Sequence, residues 1–123
     1  MNTSQMIVDY LLEKETVTDI VAERIYADES PKVTTLVHIR VNELAGGRMH
    51  NLDLAFPLVQ VSVFAKSRED AIELRDVLIP LLRDSRLVVD ETFMVCTLQD
   101  DQLIQEDTWW HAALTLGVKL QEV

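Results

Sequence analysis

Residues 57–82 read PLVQVSVFAKSREDAIELRDVLIPLL, and this stretch decides the fold. Val59, Val61, Val63 and Ala65 alternate with Leu58, Gln60, Ser62 and Phe64, the two-residue period of a pleated strand. Ser67, three residues before Asp70, is a helix-start signal, because its hydroxyl accepts a bond from an otherwise orphan amide. Leu74, Val77, Leu78 and Leu81 then recur at helical spacing, with Glu69, Glu73, Asp76 and Arg83 on the opposite face. Pro80 falls inside this pattern and predicts a kink, since it removes a backbone donor. The stretch is a strand passing into a capped amphipathic helix. It carries no obvious catalytic group, which directs attention to assembly.

Upstream, the pattern predicts a helix over Ser4–Glu13, with Ile7, Tyr10 and Leu11 on one face. A shorter helix follows over Thr16–Ala22, with Thr16 and Asp19 as a capping-box variant. Arg24-Ile25-Tyr26 is a short extended segment, and Asp28-Glu29-Ser30-Pro31 a polar turn. Thr34–Leu44 alternates as a strand and leads to a glycine-bearing tip, Ala45 to Asn51. Paired with Leu58–Ala65 it makes a long hairpin over residues 34–65, whose loop exceeds what a minimal turn needs. Downstream, Arg83–Arg86 is a polar helix end, Thr92–Leu98 a strand and Gln99–Asp107 an acidic connector. Thr108–Leu120 closes the chain as a long strand. The order α-α-β-β-α-β-β predicts one domain over residues 1–123. Its class is α+β, with a largely antiparallel or mixed four-stranded sheet and helices packed on one face.

The chain has 123 residues, long enough for a real core, and a formal net charge of −10. Its eleven basic residues are scattered, which argues against gripping nucleic-acid phosphates. The charge serves solubility, or keeps the protein from sticking to DNA that passes nearby. A single cysteine, Cys96, excludes an intrachain disulfide and fits a reducing cytoplasm or a core thiol. No apolar run reaches transmembrane length, and MNTSQM lacks a basic signal-peptide head, so no membrane association is expected.

Sites of chemistry are sparse. His38, His50 and His111 stand far apart without metal-ligand spacing, so no metal and no cofactor is expected. Asp100, Asp101, Glu106 and Asp107 concentrate four carboxylates, yet the spacing is not that of a calcium loop and no nucleophile stands beside them. A solvated loop is the simpler reading. Gly46-Gly47-Arg48 lacks the features of a phosphate loop. The same tip carries Met49, Leu52, Leu54 and Phe56, more apolar matter than a solvated loop usually shows, which makes it a candidate partner surface. Trp109 and Trp110 are adjacent on a strand and face opposite ways. One belongs to the core; the other is covered within the subunit or at a subunit contact. The candidate interaction residues are therefore Arg48, Met49, His50, Leu52, Leu54, Phe56 and Trp109. No catalytic set emerges, and no enzyme is expected.

Three segments together resemble a known family. Val17-Thr18-Asp19-Ile20-Val21, with Arg24-Ile25-Tyr26 and Pro31, resembles the N-terminal pattern of small bacteriophage tail completion proteins. Gln60 to Ala65 with Glu69, Ala71 and Leu74 resembles their central strand and helix. Asp100-Asp101-Gln102 through Asp107 to Leu116 is similar to the acidic loop and last strand of tail terminators. Val33-Thr34-Thr35 departs from the family's usual Pro-Tyr strand entry, which leaves the subfamily open. The resemblance implies a ring, usually a hexamer, that caps the tail tube of a long-tailed phage or prophage and offers a surface to the head. The implied partners are the tail tube protein and head–tail connector proteins, with DNA passing through the lumen unbound. Assembly in the bacterial cytoplasm and a place in the virion tail go with it. Two other readings stay open: a tail-to-head joining protein of the neck, and a small-ligand-binding or regulatory α+β domain with a pocket on the Trp110 face.

Overall fold

The computed structural model describes residues 3–27, 37–45, 54–55, 58–83, 85–89, 92–106 and 109–122. Three helices, α1 (Thr3–Leu12), α2 (Glu15–Val21) and α3 (Arg68–Leu82), pack on one face of a seven-stranded sheet. The strands are β1 (Ile25–Tyr26), β2 (His38–Ala45), β3 (Leu54–Ala55), β4 (Leu58–Ala65), β5 (Ser85–Val89), β6 (Thr92–Glu106) and β7 (Trp109–Glu122). Their order is β1-β2-β4-β7-β6-β5, with β3 also on β7. Only β1 and β2 run parallel; every other pairing is antiparallel. The α+β class and the one-sided helical layer are as the sequence predicts.

The sheet adds three strands, the two-residue β1 and β3 and the longer β5, to the expected four, and it lengthens β6. The helix ends at Leu82, just before the expected polar end Arg83–Arg86, and Ser85–Val89, for which no strand is expected, is a strand on β6. The expected acidic connector Gln99–Asp107 is strand up to Glu106, paired with β7 from Asp100 to Glu106. Ladder bonds to β7 override the weak strand propensity of Asp and Gln there. The expected long hairpin is present as β2 against β4, with a register shift between Glu43 and Ala45. Within its loop, β3 keeps on β7 the register of β4, Ala55 facing Leu120 as Leu58 faces Gly117.

The alternation read in β4 governs the core. Val59, Val61, Val63 and Ala65 are fully buried on the helical side, joined by Ile39, Val41, Ala112, Leu114 and Leu116. From the helices come Ile7, Leu11, Val17, Val21, Leu74, Leu78 and Leu82. Ser67 caps α3 as predicted, its hydroxyl accepting from the Asp70 amide at 3.1 Å. The helix continues two residues past Pro80, and the Arg83 amide still bonds the Ile79 carbonyl at 2.8 Å. Tyr10 ties α1 to α3 by donating its hydroxyl to the Leu81 carbonyl at 3.1 Å.

The capping box expected at Thr16 is absent: Lys14 is the N-cap and makes no side-chain cap bond. Past the end of α2, Ala22 takes φ 55 and ψ −124. Val37, at the entry to β2, takes φ 66, an outlier for a β-branched residue. Two bonds hold it: its amide donates to the Phe64 carbonyl at 2.7 Å, and its carbonyl accepts from Arg24 Nε at 3.0 Å.

Candidate assembly surface

The face of the sheet away from the helices holds a row of rings that no single segment of sequence announces. His38 on β2 lies abreast of Phe64 on β4, and Phe64 abreast of His111 on β7. Their side chains stack: His38 and Phe64 have centroids 4.8 Å apart at 15°, and Phe64 and His111 4.5 Å apart at 12°. Trp109 tilts against Phe64 at 5.0 Å, and Tyr26 meets His38 edge-on at 6.1 Å. Arg40 sets its guanidinium 5.5 Å from the Phe64 ring centre, a cation–π distance. Tyrosine, tryptophan and arginine are the residues most enriched in interface hot spots, so this patch has the composition of a contact. His38 is buried by its neighbours, while Phe64, Trp109 and His111 stay half-exposed.

The sheet's two sides carry a second feature. β5 pairs with β6 only over Thr92–Cys96, so β6 from Thr97 to Glu106 has no outer partner among the described residues. On the opposite side β1 pairs with Ile39 and Arg40 of β2. The exposed large apolar side chains include one on each of these edges, Leu44 at 51% and Ile104 at 37%. Such edges are templates for pairing unless they are covered.

The edges differ in charge. From Leu87 to Val118 the chain has six carboxylates and no Lys or Arg. Asp100 and Asp101 are exposed on the β6 edge and, being consecutive, take opposite faces of the sheet. Gln102 donates to Asp100 at 3.1 Å. A register shift between Leu98 and Asp100 marks a bulge at Gln99, whose side chain lies across Gly117. A Cβ at Gly117 would stand 2.5 Å from Gln99 Nε2. The other edge carries Arg24, Arg40 and the exposed Glu43, and Arg40 Nε is buried with no hydrogen-bond partner among the described residues.

Of the residues expected to make contacts, Trp109 stands in the ring row. Leu54 is placed by its backbone in β3, opposite Gln121. Arg48, Met49, His50, Leu52 and Phe56 lie outside the described residues. His38, Arg40, Phe64 and His111 fall on three separate strands, and only the pairing registers bring them together. Cys96 is a core thiol, its pKa pushed up to about 11 by burial. Among the described residues no three His, Cys, Asp or Glu side chains gather as a metal site. None of the described helices is long and apolar enough to cross a membrane.

With this geometry, the fold is also found in solved structures. A chain in the "virion of native gene transfer agent (GTA) particle" superposes with TM-score 0.74, at 12% identity over 92% of this chain and 90% of that one. A second solved protein matches over 99% of both chains, with TM-score 0.68 and 11% identity. The likeness is one of fold. No protein-family profile matches the sequence, and no curated protein matches it.

Proposed function

We propose that the chain is a structural subunit of a phage-like virion, one that assembles into a ring capping the tail tube, ends tube growth and presents a surface to the head. The observation that carries this reading is an aromatic row on the sheet's helix-free face, beside a β6 edge that has no outer partner from Thr97 to Glu106 among the described residues, in a fold shared with a component of a gene transfer agent particle. The sequence resemblance to tail terminators points the same way. Its work is assembly rather than catalysis: Asp100 and Asp101, the described pair of its acidic cluster, take opposite faces of a strand instead of converging. Tail tube protein and head–tail connector proteins are the partners this reading assigns, and a hexamer is the ring size. DNA passes through the lumen unbound, repelled by an acidic surface.

The test is mass measurement in solution combined with negative-stain imaging after mixing with tail tubes. Rings at one end of the tubes, and tubes that no longer elongate, are the expected result. A protein that stays monomeric and never decorates tube ends would defeat the proposal. A neck protein shares the ring but binds the head connector in preference to bare tube ends, so parallel binding to both partners separates the two roles.

A further inference from the structure

We propose that the outer edge of β6, from Thr97 to Glu106, receives an extended basic segment of another protein of the particle. That segment adds to the sheet as one more strand and sets two consecutive Lys or Arg residues beside Asp100 and Asp101. The source of the partner rests on the assembly reading above; the edge itself says what the partner must carry.

The lane for such a strand lies in line with β5. That strand begins at Ser85, opposite Cys96, and covers β6 only back to Thr92. From Thr97 to Glu106 the outer side of β6 has no strand among the described residues. In an antiparallel sheet alternate residues turn both backbone groups the same way, so about half of the N–H and C=O groups in this stretch point into the lane. An extended chain laid there satisfies them, the mode in which main-chain bonds supply affinity and side chains supply specificity. Asp100, Gln102 and Ile104 are exposed on the helix-free face and Asp101 and Gln105 on the other, so the lane is open from both sides.

Charge selects the occupant. Asp100 pairs with Thr115 on the helix-free face and Asp101 with Leu114 on the helical side, which puts one carboxylate on each face of the edge. From Leu87 to Val118 the sequence has no Lys or Arg to answer them. A second copy of the same edge would crowd four carboxylates into one joint, which opposes self-pairing. A strand with two consecutive basic residues meets both carboxylates, one on each face.

Register then extends the pattern. Ile104 pairs with His111 at the end of the ring row and is 37% exposed. Take the incoming strand as antiparallel to β6, the more stable sense. If its basic pair faces Asp101 and then Asp100, the residue three positions before that pair faces Ile104. An apolar side chain there covers Ile104 and lengthens the row. The segment that fits the lane therefore reads apolar-x-x-basic-basic.

The probe is a labelled synthetic peptide of β-branched residues around a central Val-Thr-Thr-Lys-Lys, titrated into the protein without tail tubes. Saturable binding is expected, with amide hydrogen exchange slowed over Thr97–Glu106. A Glu-Glu counterpart should bind about tenfold more weakly or worse, and Asp100→Lys combined with Asp101→Lys should reverse the preference. Methylating the backbone nitrogens of alternate peptide residues should abolish binding for one alternate set and spare it for the other, since only one set faces β6. Circular dichroism checks that the variant folds, and exchange is read on the unaltered protein. No binding, protection elsewhere, or binding indifferent to both methylated sets would overturn the proposal. So would protection of this stretch that grows with the protein's own concentration, which marks a second copy as the occupant. Rings on tube ends without peptide binding would overturn it and leave the ring reading standing. Peptide binding without assembly on tube ends would support the edge and defeat the ring.

Discussion

The two faces of β4 and β7 are built from opposite materials. The helical side is aliphatic and closed: Val59, Val61, Val63, Leu114 and Leu116 are wholly buried. The other side is mixed, with Gln60, Ser62, Thr115 and Lys119 beside the row of Phe64, His111 and Trp109. The first face holds the subunit together without help. The second has side chains suited to water and to contact. Stability and assembly are thus divided between faces of the same strands, so adjacent residues should respond to substitution in opposite ways.

The sharpest break of that contrast is a pair of neighbours. Leu114→Ala removes a fully buried side chain between sheet and helices and should cost about 3 kcal/mol, read from urea unfolding. Thr115→Ala, one residue on and facing the other way, should stay within about 0.5 kcal/mol. Similar losses at both would mean that the open face is a second core. Cys96 sharpens the closed face from another direction. Unfolded, its thiol ionises near 9.0; folded, burial holds the pKa near 11. Below pH 9 both states keep the proton and the folded state retains its full margin. Between pH 9 and 11 only the unfolded state sheds it, so stability falls with rising pH, by about 2 kcal/mol in all. Cys96→Ala should be less stable at neutral pH yet show a shallower decline over that window. An unchanged slope would assign the alkaline loss to other groups.

The ring row gives a smaller effect. Phe64→Leu keeps an apolar side chain but removes the stacking with His38 and His111 and the cation–π contact of Arg40. A loss of about 1 kcal/mol in stability is expected, with a larger fractional loss in tube-end binding. If binding is untouched, the row belongs to the subunit alone.

How much of this was legible depends on whether the signal was local. Ser67 and the leucines after it are a helix by themselves, and the structure places cap and apolar stripe where spacing puts them. The alternation of β4 likewise declares its two faces. Ser85–Val89 carried a usable signal in Leu87-Val88-Val89, which the polar flank of Arg83–Arg86 obscured. Residues 99–106 gave no such signal: Asp and Gln form a strand there because β7 supplies a ladder, and tertiary pairing outweighs propensity. The ring row is harder still. His38, Phe64 and His111 are separated by whole elements, and only registers fixed by the finished sheet bring them into one line.

The smallest effect lies outside both faces. Ala22 ends α2 at φ 55 and ψ −124, a conformation that L-residues populate at a cost and glycine adopts freely. Its side chain is exposed, so nothing of the core is lost by removing it. Its amide bonds the Thr18 carbonyl at 2.8 Å, and glycine keeps that bond. Against this stands the greater freedom glycine gives the unfolded chain, about 0.5–1 kcal/mol. Release of strain of order 1–3 kcal/mol exceeds it, so Ala22→Gly should raise stability by roughly 0.5–1 kcal/mol. Because Ala22 touches neither the open face nor the two edges, assembly on tube ends should be unchanged. A destabilised Ala22→Gly would show that the end of α2 is relaxed in solution and that its backbone angle stores nothing.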